Sequence, residues 1–227
     1  MSPARGRNEG RFASKEAFIF DLDGTLVNAY QAVQKSLNAT RQQFGHPRVS
    51  LQEVVRKVGR GDEKFIRIFF PRREVRDALA YYRKRHETDV KSHSRLMRHA
   101  RWILYFLKRK KKKLAVASNR PSRFTSFLVR KFDLEKYFDQ ILCADQVQSL
   151  KPDPKILREL MRRLKIEDAA GCVFVGDMDI DMETARRAKM DAVFVKGGST
   201  PVRQVKKYRN IYIVSDLKEM GGMCGPA

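Results

Sequence analysis

The strongest pattern along the chain is a series of short apolar runs with little polar alternation. They are AFIF at Ala17 to Phe20, LAVA at Leu114 to Ala117, Ile141 with Leu142, CVFV at Cys172 to Val175, and AVFV at Ala192 to Val195. Runs of this kind predict strands buried on both faces, as in a parallel sheet. Ile211 to Val214 predicts one more strand, at an edge. Between the runs the apolar positions fall at helical spacing. Val33, Leu37 and Phe44 predict a helix within 28–44, stopped by Gly45, His46 and Pro47. Ser50 to about Lys91 is charged and helix-prone, with Ser50 and Glu53 in capping-box register and Gly59 to Asp62 as a break between two helices. Leu96, Ala100, Ile103, Leu104 and Leu107 predict one helical face over His93 to Lys108. Pro121 opens a helix running from Arg123 to Lys131, and Asp153 with Pro154 opens another that runs to about Leu164. Strands alternating with helices place the chain in the α/β class. The expected division is a loose basic arm at 1–14, an α/β core at 15–27 and 93–220, a small all-helical insert at 28–92, and a tail at 221–227.

Composition narrows the setting. With 227 residues and 42% hydrophobic content there is material for one core and a small insert. No apolar run approaches the roughly 20 residues of a membrane span, so no membrane partner is expected. The N-terminus carries no apolar signal region. Cys143, Cys172 and Cys224 show neither pairing nor metal-ligand spacing, which fits a reducing cytoplasm. His46, His86, His93 and His99 also lack ligand spacing and are assigned no role. Charge is the unusual feature, with 48 Lys and Arg against 26 Asp and Glu, a net +22. Such a field draws nucleic acid, anionic membrane surfaces and phosphorylated small molecules alike. The basic residues are spread over almost every segment. This favours a solvated basic surface, with a nucleic-acid partner as the alternative. The run from Lys108 to Lys113 reads as a solvated helix end, where positive charge is favourable.

Chemistry concentrates at the strand ends. Asp21 and Asp23 follow the first run and are followed by Gly24 and Thr25. Residues two apart in an extended segment point the same way, so both carboxylates can face one small volume. Two close carboxylates need a cation or a proton between them, which leaves a divalent metal, an acid/base pair, or both. An Asp-Gly turn with an incidental second aspartate is the competing reading. Ser118 and Asn119 end the second run, where a hydroxyl and the free amides of a helix start suit a phosphoryl oxygen. Lys151 is presented on a loop stiffened by Pro152 and Pro154, so less entropy is lost in placing it over an anion. Asp177, Asp179 and Asp181 cluster after the fourth run. Oxygen ligands of this kind suit Mg²⁺, with Asp177 as the expected direct ligand, Asp181 as an indirect one and Asp179 in solvent.

Strand-DxDGT, strand-SN, KPDP and strand-GDxxxD, in that order, resemble the four motifs of the haloacid dehalogenase superfamily from about Phe18 to Val214. The insert after the first motif resembles the cap of its phosphoglycolate phosphatase and β-phosphoglucomutase branch. The resemblance implies a doubly wound, Rossmann-like parallel core and a Mg²⁺-dependent phosphatase acting on a small phosphomonoester, as a monomer or homodimer. It implies that Asp21 is the nucleophile that forms an aspartyl-phosphate and that Asp23 is the acid and base. Ser118, the Asn119 amide and Lys151 would bind the phosphoryl group, and Asp21, Asp23 (through its carbonyl), Asp177 and Asp181 would form the metal site. Arg60, in the Gly59 to Asp62 loop, is the candidate substrate contact from the insert. The alternatives are a β-phosphoglucomutase-type mutase or a nucleic-acid-binding protein on the same scaffold. The basic excess and the SHSRLMRHA stretch, where the family often has Pro-Gly, depart from its pattern.

Overall fold

The computed structural model describes residues 9–225. Six strands form one parallel sheet: β1 (Ala17–Phe20), β4 (Lys113–Ser118), β5 (Gln140–Cys143), β6 (Cys172–Gly176), β7 (Asp191–Val195) and β8 (Ile211–Val214), in the order β5-β4-β1-β6-β7-β8. The first strand is thus central. Phe20 registers with Val116 on one side and Val175 on the other, which brings the carboxyl ends of β1, β4 and β6 side by side. Strand order reverses across β1, and in open α/β sheets the crevice at such a switch point is where ligands bind.

Alternation along the buried strands feeds two cores. Phe18, Phe20, Val116 and Val175 point to one face, where they pack against α5 (Ala100–Arg109), α6 (Ser122–Lys131) and α11 (Leu217–Met223). Ile19, Ala115, Ala117 and Phe174 point to the other, against α8 (Lys155–Leu164) and α9 (Asp179–Ala188). The short helices α7 (Ala144–Val147) and α10 (Val202–Val205) complete that side. Both faces are covered, which is why the strands read as unbroken apolar runs.

Residues after β1 leave the sheet and form α1 (Tyr30–Gln43), α2 (Leu51–Val55), α3 (Asp62–Phe69) and α4 (Val75–Ser92). These helices have an apolar cluster of their own that includes Leu37, Val54, Phe65, Ile66 and Ala78. The Ser50 hydroxyl accepts the Glu53 N–H at 3.2 Å at the start of α2.

Three segments differ from the sequence pattern. The helix expected from His93 starts only at Ala100, because Arg95–Leu96 forms β3, antiparallel to β2 (Val27–Asn28). Met97 also donates to the Leu26 carbonyl at 2.9 Å. Local spacing cannot reveal a partner so far along the chain. The expected N-terminal arm is docked where described. Phe12 is fully buried, its ring edge-on to Phe18 and Tyr212, and its N–H donates to the Met223 carbonyl at 2.7 Å. Residues 1–8 of that arm, and residues 226–227 of the tail, lie outside the described residues, while 221–223 continue α11.

The basic run is partly tied down. Lys108 pairs with Asp139 at 2.9 Å, Lys112 donates to the Ala13 and Lys15 carbonyls, and Lys113 donates to the Leu164 carbonyl. All three cysteines are free and buried. Among the described residues no helix is long and apolar enough to cross a membrane.

Candidate active site

Three strand ends and one loop supply the site. Asp21 stands one residue past β1, Ser118 ends β4, Asp177 follows β6, and Lys151 lies in the loop before α8. Lys151 is buried, and its Nζ donates to Asp21 Oδ1 at 2.7 Å, Asp181 Oδ1 at 2.8 Å and the Ala117 carbonyl at 3.1 Å. Burial works to lower the Lys151 ammonium, but Asp181 and Asp21 more than offset it, so it is held charged. Asn119 brackets the same loop. Its Oδ1 accepts the Lys151 N–H at 2.8 Å, while its Nδ2 donates to the Lys151 and Gly59 carbonyls. The Asn119 side chain thus braces the loop.

Asp177 is fully buried and anchored by residues from distant parts of the chain. Oδ2 accepts from the Tyr30 hydroxyl and the Ser199 N–H, each at 3.0 Å, and Oδ1 accepts from Thr25 Oγ1 at 3.3 Å. The backbone is so close that side chains are excluded at two positions. A Cβ on Gly24, where φ is +85°, would lie 2.4 Å from Asp177 Oδ2, and one on Gly198 would lie 1.8 Å from it. Asp181 Oδ2 accepts the Met178 N–H at 3.1 Å, so both of its oxygens are engaged within the fold. That arrangement ties Lys151 to the start of α9. Asp179 begins α9 and is half-buried.

Among the described residues Asp21, Asp177 and Asp181 offer carboxylate oxygens all within 4.8 Å of one another. Burial, then the Asp181 charge, pushes Asp177 up to about 7. Burial likewise raises Asp21 well above the usual carboxylate range, in spite of Lys151. Three buried carboxylates against one lysine leave negative charge uncompensated. A hard divalent cation is the group that such a donor set fits.

Asp21 opens onto a cleft of about 90 Å³, lined also by Asp23, Ser118 and Lys151 on one side and by Val33, Phe65 and Tyr82 of the helical insert on the other, with Asp177 and Asp181 buried behind it. Arg60 does not line it. Its side chain is exposed, and Gly59 and Gly61 on either side face the cleft instead. The lining also holds Arg120 and Tyr30, which carried no mark in the sequence, and His86, which was assigned no role there. Arg120 directly follows Ser118 and Asn119, yet among 48 basic residues one more arginine carries no signal. It donates to both oxygens of Asp23, at 2.7 and 2.8 Å, and to His86 Nε2 at 2.8 Å.

Fold and site together define an α/β protein with clustered carboxylates and a buried lysine at the carboxyl ends of its central strands. Residues 18–195 match the family model of the haloacid dehalogenase-like hydrolases, and the chain belongs to that family. A phosphorylated carbohydrates phosphatase of Thermotoga maritima is 31% identical over 184 residues, which cover 79% of this chain and 84% of the relative. A phosphoglycolate phosphatase of Cupriavidus necator is 29% identical over 189 residues, 80% of this chain and 81% of its own length. In fold the chain is similar to CbbY of Rhodobacter sphaeroides, whose crystal structure holds phosphate. The TM-score is 0.79 at 21% identity, covering 92% of this chain and 99% of the other.

Proposed function

We propose that the chain is a Mg²⁺-dependent phosphatase that hydrolyses a small, phosphoglycolate-like phosphomonoester through an aspartyl-phosphate on Asp21. The observation that carries this reading is the buried Lys151 held between Asp21 and Asp181, with Asp177 beside them and Ser118 on the same cleft. Mg²⁺ would be held by the Asp21 and Asp177 carboxylates and the Asp23 carbonyl, and would supply positive charge to neutralise the phosphoryl oxygens.

The chain's own groups divide the remaining work. Lys151 grips Asp21 Oδ1, which leaves Oδ2 to attack phosphorus. The ester oxygen–phosphorus bond breaks as a bond to Asp21 forms, and the leaving oxygen takes a proton from Asp23. Water then attacks the phosphoryl group on Asp21, and its proton returns to Asp23. The net reaction is ester plus water to alcohol plus phosphate. Ser118 presents a hydroxyl to the phosphoryl oxygens and the Lys151 ammonium, its three N–H groups held by Asp21, Asp181 and the Ala117 carbonyl, supplies positive charge beside them, the electrostatic work that dominates such transfers. The insert helices close the far side of the cleft and limit water.

The test is phosphate release from a panel of phosphorylated metabolites in the presence of Mg²⁺, with Asp21→Asn as control. The variant is expected to keep the circular dichroism of the parent and to lose turnover. A substantial residual rate would remove Asp21 as nucleophile. Turnover that appears only with a sugar bisphosphate present would favour the mutase alternative.

A further inference from the structure

Arg120 is the cleft residue that the chemistry above leaves without a task. It lies in the loop between β4 and α6, and its side chain is 9% exposed. Two of its nitrogens hold both oxygens of Asp23, and a third donates to His86 Nε2. His86 belongs to α4, so a single guanidinium joins the sheet side of the cleft to the insert.

Neighbours define the state of His86. A guanidinium has no acceptor, so Nε2 must be the unprotonated nitrogen and Nδ1 must carry the proton. Nδ1 lies 2.9 Å from Ser36 Oγ, which accepts from it. The Ser36 hydroxyl in turn lies 2.8 Å from the Ala32 carbonyl and 3.1 Å from Asp89 Oδ2, either of which takes its proton. The ring is stacked on Tyr82, with centroids 5.3 Å apart, and stands edge-on to Phe124. Burial, then the Arg120 charge, pushes the imidazole down to about 2, in agreement with a neutral acceptor.

With Arg120 so placed, both Asp23 oxygens are occupied. A carboxylate turned onto a guanidinium in this way is aimed at Arg120 and not at a leaving oxygen or a water. Moving the guanidinium aside without a substitute would leave a buried cation without its counter-charge. The substitute must be an anion, and since Ser118, Lys151 and the metal take the phosphoryl oxygens in the reading above, it falls to the leaving group of the substrate to supply one. Among the described lining residues the cations are Arg120 and Lys151, and Lys151 is already held by Asp21 and Asp181, while Val33, Val58, Phe65, Phe124 and Ile180 are apolar.

We propose that Arg120, positioned by His86, is a specificity-determining switch that releases Asp23 to substrates whose leaving group carries an anionic group of its own. This rests on the phosphatase reading and on the acid/base part given there to Asp23.

The experiment measures kcat and KM for the full chain with Mg²⁺ on three esters: phosphoglycolate, ethylene bisphosphate and hydroxyethyl phosphate. They end in a carboxylate, a phosphate and a neutral hydroxyl. For the parent, kcat/KM is expected to be at least about 10-fold higher for one of the anionic esters than for the neutral one, since a site built around a buried charge rejects the analogue that lacks its partner. Which anionic ester is favoured tells carboxylate from phosphate. Arg120→Gln should bring that ratio close to one. His86→Leu should move it the same way, chiefly through KM for the anionic ester. His86→Gln, whose amide oxygen can replace Nε2 as acceptor, should restore it. A parent that cleaves charged and neutral esters equally well, or an Arg120→Gln variant with an unchanged ratio, overturns this inference alone. A parent that leaves all three intact but cleaves another ester of the panel whose leaving group is neutral overturns this inference alone, and one that releases phosphate from no ester of the panel overturns the phosphatase reading and this inference with it.

Discussion

Gly198→Ala is the most revealing single change available in this chain, because it adds one methyl group and no charge. The new Cβ would stand 1.8 Å from Asp177 Oδ2, and contacts under 3.0 Å are essentially never seen. Asp177 therefore has to withdraw by about 1.2 Å, a misplacement of the size that costs on the order of 100-fold in rate when it affects a positioned group. Withdrawal also stretches the 3.0 Å hydrogen bonds from Tyr30 and from the Ser199 N–H, which sits on the residue next to the substitution. Each such bond to a charged acceptor contributes about 1.5–3 kcal/mol, so the carboxylate has no relaxed position nearby. The expected outcome is a Mg²⁺ activation curve displaced to at least about 10-fold higher metal, on the scale by which displaced supporting groups weaken metal sites. The assay is a Mg²⁺ titration of phosphate release, with metal binding followed in parallel by calorimetry. Gly222→Ala serves as the control, since a Cβ there meets nothing within 4 Å and the residue lies in α11. Unchanged metal affinity in Gly198→Ala would show that Asp177 is not held as described and would refute the reasoning.

Three further outcomes follow from the same geometry. Lys151→Met strands Asp21 and Asp181 without their buried partner, and should cost about 3–5 kcal/mol in a urea unfolding series besides abolishing turnover. A variant as stable as the parent would mean that the lysine is not buried between them. Asp177→Ala should weaken Mg²⁺ activation before any loss of fold, and a coincident titration curve would contradict its place in the metal site. The metal-free protein should lose stability as pH rises. An aspartate raised to about 7 in the fold favours folding fully below its ordinary 3.8 and loses that contribution as pH climbs through about 7. The loss amounts to at most about 4 kcal/mol. Added Mg²⁺ should therefore raise the melting temperature more at pH 8 than at pH 5.5. Equal shifts at both values would count against a buried, cation-seeking Asp177.

The strand ends that carry Asp21, Ser118 and Asp177 were legible in the sequence because a strand buried on both faces leaves a local mark, a short apolar run with a turn behind it. The loop holding Lys151 was legible for a similar reason, since Pro152 and Pro154 fix its course within a few residues. The helices of the insert were readable as helices, but what they bring to the cleft was not. Arg60 looked like a contact because it stood in a conspicuous glycine loop, whereas the loop's backbone is what faces inward. His86, set aside for lack of ligand spacing, reaches the cleft because α4 packs against α6, where its ring meets Phe124.

The sequence by itself determined the class of fold, the order of the strand-end motifs and the residues able to bear the chemistry, since each is written within about ten neighbouring positions. Only the tertiary structure decided which groups meet them. Arg120 holds Asp23 across 97 positions, Tyr30 anchors Asp177 across 147, and Lys151 bridges Asp21 across 130 and Asp181 across 30. Such pairings depend on how the strands register and where the insert settles. They leave no periodicity in the chain, because the partners are set by packing and by the demand that a buried charge find its counter-charge.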